Sequence, residues 1–273
     1  MIPLCSMHTH TTFCDGKNTA EEMVVGAIES GCTTLGFSGH SYMDIGGADE
    51  WVMKEHKLPQ YVGEIKRLKG AYKEQIEIML GIEQDYFSAT STSDFDYVIG
   101  SVHCVKKSGE YCFVDMSPQE LKEAVGHLYG GNMMEMVKDY YALVADVVDR
   151  TNCDIIGHFD LVTKFNEKYA LIDTDSKIYR DAAMDALNAL IEKDRIFEIN
   201  TGAISRGWRV TPYPQDFLLR RIAEKGARVI ITSDSHSRDT ILFGYEAAVE
   251  YAKSCGITSV CVFENGKAKS IGI

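Results

Sequence analysis

Seven short apolar runs, most of them separated by stretches patterned as helix, constrain the fold of this chain more than any other feature. The runs are Leu4–His8, Thr34–Ser38, Ile76–Ile82, Tyr97–Val102, Asp154–Gly157, Ile196–Asn200 and Val229–Thr232. Helix patterns fill Thr19–Ser30, Pro59–Lys73, Asn132–Arg150, Lys177–Lys193, Asp216–Lys225 and Tyr245–Ser254, and another opens at Ser117-Pro118-Gln119-Glu120. Thr19-Ala20-Glu21-Glu22 has the form of a capping box, and Gly226 and Gly256 stand where helices end. Strands that alternate with helices pair in parallel and are buried on both faces. With 273 residues and no linker, low-complexity segment or internal repeat, the chain reads as one α/β barrel with one unit fewer than the usual eight. Ser259–Phe263 and Ala268–Ile271, joined by Glu264-Asn265-Gly266-Lys267, read as a small terminal hairpin.

Chemistry-bearing residues collect at the ends of these runs. Met7-His8-Thr9-His10 opens the chain and Asp234-Ser235-His236 follows the last run, with Asp15, His40, Glu83, His103 and His158 between them. In a strand, residues i and i+2 share a side, so each of the two pairs aims two ligands at one point. Imidazole with carboxylate suits Zn, Mn or Fe, and so many donors exceed what one ion uses. In an α/β barrel the active site lies at the carboxyl ends of the strands, where these residues fall. The pattern therefore points to a multinuclear metal hydrolase. Glu83 ends a buried strand, where an unpaired carboxylate is costly, and it reads as a bridge between two cations. Spacing alone leaves Asp15 open between a ligand and an Asp-Gly turn. His56 and His127 sit in helical or loop contexts and read as ordinary histidines.

The net charge of −12, without a Lys/Arg run, disfavours nucleic acid as a partner, and no apolar run is long enough to span a membrane. Eight scattered cysteines without a CxxC pair, and an opening Met1-Ile2-Pro3 that leads straight into the histidine motif, read as free thiols in a cytoplasmic protein. Cys104 follows His103 but should face the opposite side.

These motifs resemble the polymerase-and-histidinol-phosphatase (PHP) family of metal-dependent phosphoesterases. His8-Thr9-His10, Asp15-Gly16, Gly39-His40, Gly81-Ile82-Glu83, Gly100-Ser101-Val102-His103, Gly157-His158 and Ser233-Asp234-Ser235-His236 carry the likeness from end to end in the family's order. Glu50-Trp51-Val52-Met53-Lys54, Leu58-Pro59-Gln60-Tyr61 and Ile76–Tyr86 resemble the histidinol-phosphatase branch. The resemblance implies a single PHP-type domain over residues 1–273, a distorted TIM-like (β/α)7 barrel holding three divalent metal ions. His8, His10, Glu83 and Asp234 would hold the first, and Asp15, His40 and His236 the second. Glu83 would reach the third, completed by His103 and His158. Some members have histidine where this chain has Asp15.

The implied reaction is hydrolysis of L-histidinol phosphate, a small-molecule phosphate substrate, by a hydroxide bridging two metals. Another small phosphate ester, a nucleotide or a phosphodiester, is the alternative. Arg206, in the loop after the sixth run, is the candidate clamp for the phosphoryl oxygens, with Arg209 and Lys106 behind it. Asp160, two residues beyond His158, would take the substrate ammonium or orient a ligand histidine. Trp51, in the long segment Tyr42–Leu58, would close over the substrate or pack that segment down. Asp234 or His236 would deliver the proton to the leaving alkoxide.

Overall fold

The computed structural model describes residues 4–273. Met1-Ile2-Pro3, on which the reading of a leaderless start partly rests, lies outside them. The apolar runs form β1 (Cys5–Ser6), β2 (Thr34–Phe37), β3 (Glu77–Asp85) and β4 (Tyr97–Ser101). After β5 (Cys104–Lys107) and β6 (Glu110–Phe113) come β7 (Ile155–Ile156), β8 (Ile196–Asn200), β9 (Val229–Thr232), β10 (Ser259–Glu264) and β11 (Lys267–Gly272). The main sheet runs β1-β2-β3-β4-β7-β8-β9-β10-β11, parallel up to β10. The last two strands are antiparallel, forming the expected terminal hairpin. Strands β5 and β6 make a separate antiparallel hairpin that the sequence patterns did not reveal, because Lys106 and Lys107 break the apolar run.

Two edges of the curled sheet meet beyond the regular strands. Thr9 bridges Ser235 in parallel, with the His10 N–H donating to the Ser235 carbonyl at 2.8 Å and the Ser235 N–H to the His8 carbonyl at 2.9 Å. This bridge joins β1 to the continuation of β9 and closes β1, β2, β3, β4, β7, β8 and β9 into the distorted (β/α)7 barrel of the α/β class, with β10 added in parallel beside β9.

Helices α1 (Ala20–Glu29), α2 (Leu58–Ala71), α3 (Pro118–Tyr129), α4 (Met133–Thr151), α5 (Asn166–Tyr169) and α6 (Lys177–Ile191) are followed by α7 (Gly202–Ser205), α8 (Asp216–Glu224) and α9 (Tyr245–Ser254). Helix α1 begins at a complete capping box, with Thr19 and Glu22 each bonding the other's backbone N–H. Along α4, Met136, Val137, Tyr140, Tyr141, Val144 and Val148 recur at helical spacing and face the core shared with α6 and the outer faces of β8 and β9.

Inside the barrel the chemistry is layered. Met7, Met79, Tyr97, Ile99, Ile155, Ile196 and Ile230 fill the end nearest the strand N-termini. Tyr97 crosses this layer and donates its hydroxyl to the carbonyls of Met7 (2.6 Å) and Phe37 (3.1 Å). A Cβ on Gly81 would lie 2.3 Å from the Tyr97 ring and one on Gly36 2.4 Å from its hydroxyl, so these two strand positions admit nothing larger than glycine. Beyond the plug the inward positions turn polar: Ile196 on β8 is followed by Glu198 and Asn200, while Phe197 and Ile199 pack outward. Among the described residues no helix is long and apolar enough to cross a membrane, and the eight cysteines are free thiols.

Candidate metal centre

Glu83, at the inner end of β3, is the hub of the polar layer. Its Oε2 lies 2.9 Å from His40 Nδ1, 3.2 Å from His8 Nε2 and 3.6 Å from His10 Nε2. Its Oε1 lies 2.9 Å from His158 Nε2 and 3.4 Å from His103 Nε2, and accepts from Ser101 Oγ at 2.6 Å. Asp234 Oδ1 faces His10 Nε2 at 3.3 Å and His8 Nε2 at 3.8 Å. Asp15 stands 3.2 Å from His236 Nε2 and 3.7 Å from both His40 Nε2 and His10 Nδ1. The nine residues expected as ligands are thus brought into one cluster.

Their donor atoms converge in four overlapping sets: His10, Asp15, His40 and His236; His8, His158 and Asp234; His8, His10 and Glu83; His40, Glu83 and His103. Sharing is denser than three separate groups, because His40 reaches Glu83 as well as Asp15. His8 Nε2, His10 Nε2, Glu83 Oε2 and Asp15 Oδ1 are buried without a hydrogen-bond partner. Buried polar atoms are seldom left so, and lone pairs of imidazole and carboxylate facing one another are an environment that a divalent cation satisfies. On this donor chemistry the cluster fits divalent metal.

Electrostatics follow from the crowding. Burial pushes the Glu83 carboxyl up, but His40, His8 and His103 outweigh it and hold the group well below its usual range. Burial likewise opposes ionisation of Asp234, yet Arg206, His8, His10 and His236 keep it well below normal. His10 is pushed down to about 3 by burial and by His236 and His40, which favours the neutral ring with one nitrogen lone pair available. His103 goes the other way, to about 9: burial lowers it, but Glu83 and Asp85 more than compensate.

The two i,i+2 pairs converge by different means. His8 and His10 follow β1 in extended chain, with ring centroids 5.1 Å apart. Asp234 instead adopts a left-handed backbone (φ 46°), so it reaches the cluster through a turn and not by strand alternation. Such backbone is tolerated by aspartate better than by most residues and collects at functional sites. Arg206 holds the turn, donating from Nη2 to Asp234 Oδ2 at 2.9 Å and from Nη1 to the Asp234 carbonyl at 3.1 Å.

A cavity of about 340 Å³ opens over the cluster. Asp15, His40, Glu83, His103, His158, Asp234 and His236 form its floor, and Arg206, Trp51, Glu50, Asp115, Met116, Leu161 and Lys164 complete its wall. Trp51 packs its ring 4.8 Å from His40 and 5.1 Å from His103, so it both lines the cavity and pins the Tyr42–Leu58 segment. Asp160 does not line this cavity. It is fully buried and accepts the Gln215 N–H at 3.0 Å, which corrects its expected place against a substrate ammonium. Arg209 is buried on Thr163 and Thr211, and Lys106 lies over Tyr111 on the hairpin, so neither backs up Arg206. Cys104, His56 and His127 belong to none of the convergent sets.

Four residues with a bearing on the site escaped the sequence reading. Asp85 accepts from both the ring Nδ1 and the backbone N–H of His103, each at 3.1 Å, and Glu198 faces His8 Nδ1 at 2.5 Å. Both carried a signal, being carboxylates at inward positions of apolar strands. Asp115 and Lys164, paired at 3.2 Å on the cavity wall, carried none.

The PHP domain family profile matches residues 6–202. The "Probable histidinol-phosphatase" of Schizosaccharomyces pombe is 32% identical over 96% of this chain and 90% of its own length. The "Probable histidinol-phosphatase" of Deinococcus radiodurans is 31% identical over 94% of this chain and 95% of its own. The fold matches that of Lactococcus lactis histidinol phosphate phosphatase, crystallised with zinc, L-histidinol and phosphate (TM-score 0.75, 22% identity, 98% of this chain and 100% of that one).

Proposed function

The chain belongs to the PHP family, in its histidinol-phosphatase branch, and from that premise we propose that it hydrolyses L-histidinol phosphate to L-histidinol and phosphate. The observation that carries the reading is the convergence of six histidines and three carboxylates, with Glu83 at the hub, in one cluster beneath a cavity walled by Arg206. We take residues 1–273 as one catalytic unit acting on a small-molecule phosphate.

We assign His8, His10, Glu83 and Asp234 to a first divalent ion, Asp15, His40 and His236 to a second, and Glu83, His103 and His158 to a third, with zinc, manganese or iron as occupants. When bound, such ions acidify water and neutralise phosphoryl charge, which supplies the large barrier reduction that phosphate monoesters need.

The chain's own residues do the rest. Arg206 is tethered by Asp234 yet keeps further donors for phosphoryl oxygens, and a guanidinium matches their geometry. Lys164 adds a second positive charge to the cavity lining, beside Asp115. Asp115 takes the ammonium that Asp160 cannot reach, and Trp51, Met116 and Leu161 give the imidazole an apolar surface. Against the push of burial, Arg206, His8, His10 and His236 hold the Asp234 carboxyl well below its usual range, which weighs against it as the proton donor to the leaving alkoxide. His236, the other candidate, is itself assigned to the second ion and would deliver a proton only by way of water.

The test is phosphate release from L-histidinol phosphate by zinc-loaded protein, before and after chelation. Turnover that disappears with the metal and returns with added zinc supports the reading. No turnover, or turnover that survives complete metal removal, overturns it.

A further inference from the structure

We propose that Glu198 is a positioning residue for the metal centre, fixing His8 through its ring and His158 through its backbone. Glu198 lies on the inner face of β8 and is 1% exposed. Its Oε1 accepts from His8 Nδ1 at 2.5 Å and from Thr232 Oγ1 at 2.6 Å. Its Oε2 accepts from the His158 N–H at 2.6 Å and from Asn200 Nδ2 at 2.9 Å. Four donors on one carboxylate occupy its acceptor capacity, so Glu198 is not itself a ligand. A buried carboxylate is costly unless fully bonded, and here every bond ends on the scaffold around two ligand histidines.

The consequence for His8 is a fixed tautomer. With the Nδ1 proton given to Glu198, the lone pair sits on Nε2, the buried unpartnered atom 3.2 Å from Glu83 Oε2. The His158 N–H, on the same carboxylate, sets the backbone from which that ring reaches Glu83 Oε1 at 2.9 Å. Asp85 performs this service for His103 alone. Glu198 performs it for ligands assigned to two different ions, which couples the first and third positions through a residue that touches neither metal nor substrate.

The inference rests on the metal reading of the cluster, and its test needs no substrate. In Glu198→Gln the amide replaces one acceptor oxygen by a donor, which must then face either His8 and Thr232 or the N–H groups of His158 and Asn200. Zinc affinity is measured by competition with a chromophoric chelator and stoichiometry by elemental analysis, with far-UV CD to check the fold. A folded Glu198→Gln whose zinc affinity falls about 10–100-fold, the usual cost of losing such a partner, supports the proposal. Thr232→Val, which leaves the His8 contact in place, should stay within about threefold of wild type. Unchanged zinc affinity in Glu198→Gln overturns the proposal alone, whereas wild-type protein that binds no zinc overturns the metal reading with it. Should Glu198→Gln fail to fold, ¹⁵N-histidine NMR of the zinc-loaded wild type decides: a proton on His8 Nδ1 supports the proposal, and an unprotonated Nδ1 overturns it.

Discussion

Arg206 and Asp234 are locked together by two hydrogen bonds, one to the carboxylate at 2.9 Å and one to the backbone carbonyl at 3.1 Å. A residue with a left-handed backbone is thereby tied to the guanidinium on the cavity wall. The pairing costs neither partner its other role: Asp234 Oδ1 still faces His10, and Arg206 still faces the cavity.

Arg206→Ala should therefore lower kcat/KM for L-histidinol phosphate by about 10²–10³-fold, the scale for removing one electrostatic donor to a transition state. Metal content should fall far less than in Glu83→Ala, because His8, His10 and Glu83 remain for the ion that Asp234 completes. Steady-state kinetics with elemental analysis of the same sample check this, and unchanged kinetics would remove Arg206 from the site.

Glu83→Ala should lose more than one bound ion per chain, because both carboxylate oxygens face histidines of different sets. His158→Ala, which removes one imidazole and leaves the Glu83 hub in place, should lose fewer. Elemental analysis after extensive dialysis distinguishes them, and equal metal content in the two variants would contradict the bridging role.

Asp115→Asn should discriminate between substrates. Losing a charged partner for an ammonium costs about 1.5–3 kcal/mol, so KM for L-histidinol phosphate should rise about 10–100-fold. KM for p-nitrophenyl phosphate, which has no ammonium, should stay where it was. Equal changes for both substrates would put Asp115 outside the recognition of the amine.

Much of the site was legible because its ligands obey strand logic. His8, His10, Glu83, His103 and His158 stand at or just beyond the inner ends of strands, where apolar patterning points to them. Asp234 and His236 were found by the same spacing although a turn, not alternation, brings them in. Glu198 met the criterion applied to Glu83, a carboxylate inside an apolar strand, but its partners lie 40 and 190 residues away. No local pattern distinguishes such a residue from a ligand. Asp160 was misplaced because the chain turns away after His158 to enter a 3-10 turn at Leu161–Thr163. Asp115 and Lys164 meet only through the β5–β6 excursion and the loop after β7, and neither segment advertises the other.

Zinc binding should strengthen as pH rises toward about 9. Without metal, burial disfavours the charged His103, but Glu83 and Asp85 hold its proton up to about 9, and His40 and His8 are raised in the same sense. A bound cation must displace those protons. The sign for the metal-free protein is the reverse: His103 adds stability fully present below its unfolded value of ~6.5, lost as pH rises through about 9. The gap in Tm between zinc-loaded and chelated protein should therefore widen from pH 6 to pH 9. A gap that narrows over that range would contradict the cited shifts.

The central claim is the substrate. Zinc-loaded protein should be assayed with L-histidinol phosphate, p-nitrophenyl phosphate and a nucleoside monophosphate under one set of conditions. The account predicts a kcat/KM for L-histidinol phosphate within the usual enzyme range of about 10⁴–10⁸ M⁻¹s⁻¹, well above the other two. Comparable weak turnover of all three, or a nucleotide preferred, would contradict it.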